Sequence, residues 1–296
     1  MSDNVPAVSP DLPSPTWRVV LAALKRLPQG AMSRSFGRLA DTPLPRALRR
    51  PVLSTFARAV GIDVGEAELS FEEYASLNAF FVRRLKDGAR PWSLPAYVAG
   101  SPVDGVVGQF GAIRAGSMVQ AKGRHYTVAA LLDDSNEADR FLDGSFLTLY
   151  LSPRHYHRIH APVAGALAKA VHLPGALLPV NAPSVAHIPE LFARNERLLC
   201  YIDSVLGRVA IVAVGAYNVG RISATFDEIW RVPPTNQRNA SVQVREYDPP
   251  RQVAAGAEIM AFHLGSTVVL LFEPRARLHG ALAAGEEIRL GSMIAS

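Results

Sequence analysis

Two periodicities divide the chain. From residue 16 to about 95 apolar positions recur at helical spacing, and from about Tyr97 onward short β-branched runs alternate with glycine, proline and Asp-Gly turns. In the first part, Trp17, Val20, Leu21, Leu24 and Leu27 share one face of a helix that Arg18, Lys25 and Arg26 flank and Pro28 ends. A second helix is expected over Arg46 to Val60, with Leu48, Val52, Leu53 and Phe56 as its apolar stripe and Gly61 as its stop. A third is expected to begin near Ser70 and carry Tyr74, Leu77, Phe80, Phe81 and Leu85, with Ser70 and Glu73 at capping-box spacing, and Pro91 closes this part. Ahead of these, Pro6, Pro10, Pro13 and Pro15 stand among small polar residues, so 1–15 is expected to be disordered.

Strands are expected at Gly105–Phe110, Phe146–Leu151, Arg158–His160, Ala164–Val171, Leu198–Ile202, Val209–Val214, Arg221–Ser223, Ile259–Phe262 and Thr267–Phe272. Residues 225–254 show little apolar periodicity and several polar or proline positions, which predicts a loop. The fold class is therefore α+β: a helical section, 16–95, packed on a β-rich body, 96–296, of barrel-like or sandwich-like form.

Composition adds three limits. With 296 residues, 49% of them apolar, the chain can bury a substantial core. Its one cysteine, Cys200, excludes an intramolecular disulfide and a Cys-rich metal site, and its apolar setting reads as a buried strand thiol. No apolar run reaches bilayer-spanning length, and the N-terminus lacks the basic start and apolar run of a signal peptide.

Charge changes the picture more than composition does. Residues 1–60 hold nine basic side chains against Asp3, Asp11 and Asp41, a local balance of +6 that leaves the rest of the chain at −1. Such asymmetry suggests an anionic partner. No nucleic-acid-binding motif is present and no aromatics are interleaved with the charges, so an acidic membrane surface is the better candidate. The helix at Trp17–Leu27 has the pattern of an interfacial helix, and an ordinary amphipathic helix packed on its own domain remains the alternative.

The candidate chemistry centres on Phe262-His263-Leu264-Gly265-Ser266-Thr267-Val268-Val269-Leu270-Leu271-Phe272-Glu273-Pro274. Here a flexible Gly-Ser step feeds a buried strand. Lacking a Cβ, Gly265 lets the Ser266 hydroxyl approach the preceding carbonyl, a geometry that suits an N-to-O acyl shift.

Leu264-Gly265-Ser266-Thr267 resembles the self-cleavage site of the phosphatidylserine decarboxylase proenzymes. Further segments resemble that family in order: Ser76-Leu77-Asn78-Ala79-Phe80-Phe81-Val82-Arg83-Arg84-Leu85, Ser101-Pro102-Val103-Asp104-Gly105, Tyr150 to Pro162, Leu178-Pro179-Val180-Asn181 and Leu191 to Arg197. The resemblance implies conversion of phosphatidylserine to phosphatidylethanolamine and CO2 through a Schiff base with a pyruvoyl group made from Ser266, with no metal. It implies that Asp104, His160 and Ser266 form the self-cleavage set, the imidazole taking the serine proton and the carboxylate steadying the ring. Cleavage between Gly265 and Ser266 would leave a β chain of 1–265 and an α chain of 266–296, a heterodimer able to dimerise further. His157 is the candidate for proton handling during decarboxylation. Arg83 and Arg84 could meet the substrate phosphate and Phe80 and Phe81 its acyl chains, while Val180 and Asn181 lie in a segment the family keeps near the site. The enzyme is expected to sit peripherally on the cytoplasmic face of the inner membrane.

The residues leave alternatives open. If 155–161 were a regular strand, His155 and His157 would share one face and His160 the other, and both catalytic candidates could serve one site only if the segment bulged or bent, as near Arg158. Asp104-Gly105 is also a plain turn signal, and a zinc reading of the histidines lacks helical i, i+4 spacing and an acidic partner cluster. A Ser-His-Asp hydrolase would lack the Gly-x-Ser-x-Gly elbow, and a non-catalytic membrane-binding relative would not need Ser266, His160 and Asp104. One departure stands out: many relatives carry Lys-Gly-x-Glu-Met-Gly where this chain has Ala255-Gly256-Ala257-Glu258-Ile259-Met260.

Overall fold

The computed structural model describes residues 37, 39–121, 124–216, 222–230, 241–263 and 266–296. The expected disorder of 1–15, the helix at Trp17–Leu27 and Gly265 lie outside the described residues, as does the side chain of Ser266.

The helical section contains α1 (Arg46–Val60) and the short α2 (Leu77–Phe81). Helix α1 ends as its glycine predicts, with Gly61 at φ 79°. Its Leu53 and Ala57 pack with Tyr74 and Phe80 into a small separate core, whereas Leu48 and Val52 of the predicted stripe stay exposed. The helix expected from Ser70 is only five residues long. The capping-box contact forms, since Ser70 N and Oγ both donate to Glu73 Oε2, but it closes a turn and the helix waits for Ser76, whose hydroxyl accepts from Ala79 N. Leu85 then leaves the helical path to bridge Ala67.

The body follows as β1 (Ala99–Gly100), β2 (Gly105–Ala112), β3 (Ser117–Ala121), β4 (Arg124–Thr127), α3 (Val128–Leu132), α4 (Ser135–Asp139), β5 (Ser145–Leu151), β6 (Arg158–His160) and β7 (Gly165–Leu173). Next come α5 (Ala182–His187), α6 (Leu191–Arg194), β8 (Arg197–Ser204), β9 (Gly207–Val214), β10 (Ile222–Ala224), β11 (Gln243–Val253), β12 (Glu258–Phe262), β13 (Ser266–Phe272), β14 (Glu287–Ile288) and β15 (Met293–Ala295). Eight strands form an open antiparallel sheet in the order β11-β7-β8-β9-β13-β5-β2-β14, and β10-β12-β6 form a second sheet.

The large sheet is buried on both faces. Leu149, Leu270 and Ile211 point toward Ile159, Met260 and Phe262 of the small sheet, giving the sandwich-like half of the expected body. On the other face Val269, Leu271 and Val212 meet Leu131, Leu191 and Phe192 of the covering helices. Two buried faces explain why β13 reads as an unbroken apolar run.

The loop expected over 225–254 is corrected in its second half: β11 is an eleven-residue strand pairing with β7. It is an edge strand exposed along most of its length, so no core face imposes apolar alternation. Pro249 and Pro250 fall where its register breaks, between Glu246 and Arg251.

Candidate active site

The register of the large sheet gathers the candidates at one end. Ser266 opens β13 opposite Leu151, the last residue of β5, and Gly105, directly after Asp104, opens β2 on the other side of β5. Two strand spacings, about 10 Å, separate these backbones. Gly105 is required by that packing, because a Cβ there would lie 2.8 Å from the Tyr150 carbonyl oxygen. The small sheet brings in the histidine: His160 N donates to Pro102 O at 2.9 Å, so the turn that carries Asp104 also fixes the end of β6.

His160 is half-buried and holds a defined tautomer. Its Nδ1 is 2.7 Å from Gly256 O, and because a carbonyl only accepts, the ring hydrogen sits on Nδ1. Nε2 is left as the acceptor, 3.1 Å from the Tyr156 hydroxyl. Burial lowers the pKa of the ring, with the Gly256 contact opposing, so it is neutral and able to act as a base. It lines a cleft of about 390 Å³ with Arg84, Trp92, Tyr156, Glu258 and Leu290.

Asp104 is buried and turned elsewhere. Its carboxylate accepts from Arg90 Nε at 2.9 and 3.1 Å, from Arg90 Nη2 at 2.6 Å and from Leu290 N at 2.8 Å. Arg90 also forks onto Glu66 at 2.9 and 2.7 Å, and these two carboxylates hold its pKa above the usual range. No hydrogen bond joins Asp104 to His160 among the described residues; the tautomer is set by Gly256 O instead.

His157 is fully buried against Phe81, with ring centroids 4.1 Å apart. Nδ1 donates to His155 O at 2.8 Å, and Nε2 has no partner among the described residues. Burial pushes its pKa down to about 3, leaving a neutral ring with an unsatisfied lone pair. No regular strand runs through 155–157, since β6 begins at Arg158, and the register shift lies in the facing strand β12, between Glu258 and Met260. His157 O accepts from Phe262 N at 2.9 Å, which ties this histidine to the segment leading into Ser266.

The remaining candidates divide. Phe80 and Phe81 are wholly buried, one in the small helical core and one on His157. Val180 is buried, and Asn181 Oδ1 caps α5 by accepting from Ser184 N at 3.1 Å. Arg83 is buried with one end satisfied: Nη2 donates to Arg154 O at 3.2 Å, while Nε and Nη1 have no partner among the described residues. It lines a pocket of about 150 Å³ with Asp104, Arg90 and Tyr156. Sequence reasoning did not single out Tyr156, Arg90 or Gly256 for the site. Tyr156 could have been found inside the histidine motif and Gly256 lies in the divergent segment 255–260, but nothing local marks Arg90 or the reach of the Gly256 carbonyl to His160.

A model of the phosphatidylserine decarboxylase family matches residues 77–296. The chain is 44% identical over 275 residues to a phosphatidylserine decarboxylase proenzyme of Anaeromyxobacter sp. (strain K), covering 93% of this chain and 96% of that one. Proenzymes of the same description from Myxococcus xanthus and Azotobacter vinelandii are 42% and 41% identical, covering 90% and 94% of this chain and 94% and 97% of theirs.

Proposed function

The chain belongs to the phosphatidylserine decarboxylase family, whose reaction converts phosphatidylserine to phosphatidylethanolamine and CO2, and from that premise we propose that it matures by cutting itself between Gly265 and Ser266. In this reading the Ser266 hydroxyl gives its proton to His160 Nε2 and attacks the Gly265 carbonyl carbon, breaking the Gly265–Ser266 amide and forming an ester. Loss of the Ser266 α-proton then expels the Gly265 carboxylate, and water converts the dehydroalanine left behind into a pyruvoyl group and ammonia. His160 must exchange the Tyr156 hydroxyl for that of Ser266. Asp104 acts from within its Arg90 pair, as a fixed negative charge beside the turn that holds His160.

The observation that carries this reading is the register that sets Asp104 and Ser266 on either side of the end of β5, with His160 bonded to the Pro102 carbonyl. The surroundings fit a pyruvoyl group: it would begin β13, held by β5 on one side, close in sequence to Phe262, which donates to the carbonyl of His157 with its orphaned buried Nε2. Once formed, the group supplies a carbonyl that captures the substrate amine and draws off the electron pair when CO2 leaves. His157 Nε2 accepts and returns a proton in that site, and Phe81 holds its ring. Arg83, whose Nε and Nη1 have no partner among the described residues, is the candidate for the substrate phosphate.

The two products, 1–265 and 266–296, stay together as one protomer. The section 16–95 docks on an anionic membrane surface, on the cytoplasmic face, and Leu39, Leu48 and Val52 are exposed there, close in sequence to Arg46, Arg49 and Arg50. No helix among the described residues is long and apolar enough to cross a membrane. Intact mass under denaturing conditions tests the reading. Wild type should give pieces of about 28–29 kDa and about 3 kDa by residue share of 31.9 kDa, the smaller blocked by a ketone. Ser266→Ala should give one full-length, inactive chain, and decarboxylation by an unprocessed chain would refute the mechanism.

A further inference from the structure

His263, three residues before Ser266, is held at both ring nitrogens. Asn78 Nδ2 lies 3.0 Å from its Nδ1, and Ser223 Oγ lies 2.9 Å from its Nε2. A serine, an imidazole and an amide in line admit two chemistries: a second nucleophile activated by the ring, or a brace.

The tautomer decides between them. Asn78 Nδ2 also donates to Asp41 Oδ1 at 2.7 Å. A carboxylate only accepts, so the amide turns its NH2 toward both Asp41 and His263. His263 Nδ1 is therefore the acceptor, and Nε2 carries the ring hydrogen and donates to Ser223 Oγ. A ring already protonated on Nε2 cannot take a proton from Ser223, which removes the nucleophile reading.

We infer that His263 is a positioning residue for self-cleavage, bracing the segment that leads to Gly265–Ser266 against Asn78 and Ser223. The inference rests on the self-cleavage reading above. The brace stands on the near side of the bond and the β13 ladder on the far side, where Ser266 pairs with Leu151. Phe262 N, bonded to His157 O, adds a second anchor one residue earlier. The two anchors flank Leu264 and Gly265 directly in sequence, and the proposed attack must bring the Ser266 hydroxyl onto the Gly265 carbonyl carbon. Attack of that kind depends steeply on placement. Asn78 and Asp41 also connect this brace to the helical section, outside the body that carries the chemistry.

The test is a time course of maturation, read by intact mass, on full-length protein from cell-free synthesis. His263→Ala and Asn78→Ala should each slow appearance of the two pieces by about 10- to 100-fold, the scale of a misplaced reacting group. The double variant should be no slower than the slower single, because both remove one contact. His263→Asn, whose side-chain oxygen can reach the Nδ1 position and accept from Asn78, should recover part of the rate. The same substitutions in a Ser266→Ala chain report folding separately from cleavage. Singles that mature at the wild-type rate would overturn the inference, as would a double variant whose slowdown is the product of the two, or an Asn variant no faster than the Ala one. If wild type itself does not cut at this bond, the self-cleavage reading fails, and the brace fails with it.

Discussion

In the proposed maturation His160 takes the Ser266 proton only while its Nε2 is unprotonated, and two features keep it so. Burial lowers its pKa from the ordinary 6.5, and the Gly256 carbonyl keeps the ring hydrogen on Nδ1. The sign follows: a lowered value means the base form persists as pH falls through 6.5 and is lost only at lower pH. Maturation of purified precursor should therefore stay flat through neutral pH, with its acid limb below 6.5; an acid limb centred above that value would contradict the buried, neutral ring. Gly256 offers a second handle, because it stands at φ +77° and a Cβ there would lie 2.8 Å from the Trp92 ring. Gly256→Ala should push its carbonyl off Nδ1 and slow maturation by about tenfold. The sequence could nominate Asp104 and His160 as candidates because each lies in a short motif of its own. Arg90 and the Gly256 carbonyl were not, since they reach these residues from 14 and 96 positions away. No local pattern encodes such a meeting.

Strand β13 would hold the two pieces of the proposed cut together. It pairs with β5 along its whole length and with β9 from Thr267 to Phe272. Val268, Val269, Leu270, Leu271 and Phe272 are fully buried, which by area is worth on the order of 10 kcal/mol. The residues beyond it wrap back onto the large piece: β14 pairs with β2, β15 with β1, and Leu290 N donates to Asp104. After cleavage the 31-residue piece should therefore elute with the large one as a single protomer in native gel filtration and separate only in denaturant. Recovery of free small piece in native buffer would contradict this topology. The apolar run of β13 was readable because a strand buried on both faces has no polar side to display. The edge strand β11, with exposed residues such as Arg245 and Glu246, gave no such signal and read as loop, although it pairs with β7 over most of its length.

Across the whole molecule the charges are segregated, and this sets how the enzyme should meet its substrate. Seven of the nine basic residues among the first 60 fall within Lys25–Arg49 or at Arg18, ahead of the β-rich body, whose remaining sequence is close to neutral. Leu39 at 71% exposure and Leu48 at 49% lie in the same section, too open to contribute to the core and suited to an interface. Basic and apolar groups together predict two separable contributions to vesicle binding. The electrostatic one, roughly 1 kcal/mol per cation close to an anionic surface, is screened as the Debye length shrinks from about 10 Å at 0.1 M salt to about 3 Å at 1 M. The apolar one is insensitive to screening. Binding to vesicles rich in anionic lipid should thus weaken steeply with salt and level off above zero, while binding to neutral vesicles should start weak and change little. Leu48→Ser should lower the plateau without changing the slope, because it removes apolar contact and no charge. A salt-independent affinity for anionic vesicles would assign membrane binding to some other surface of the molecule.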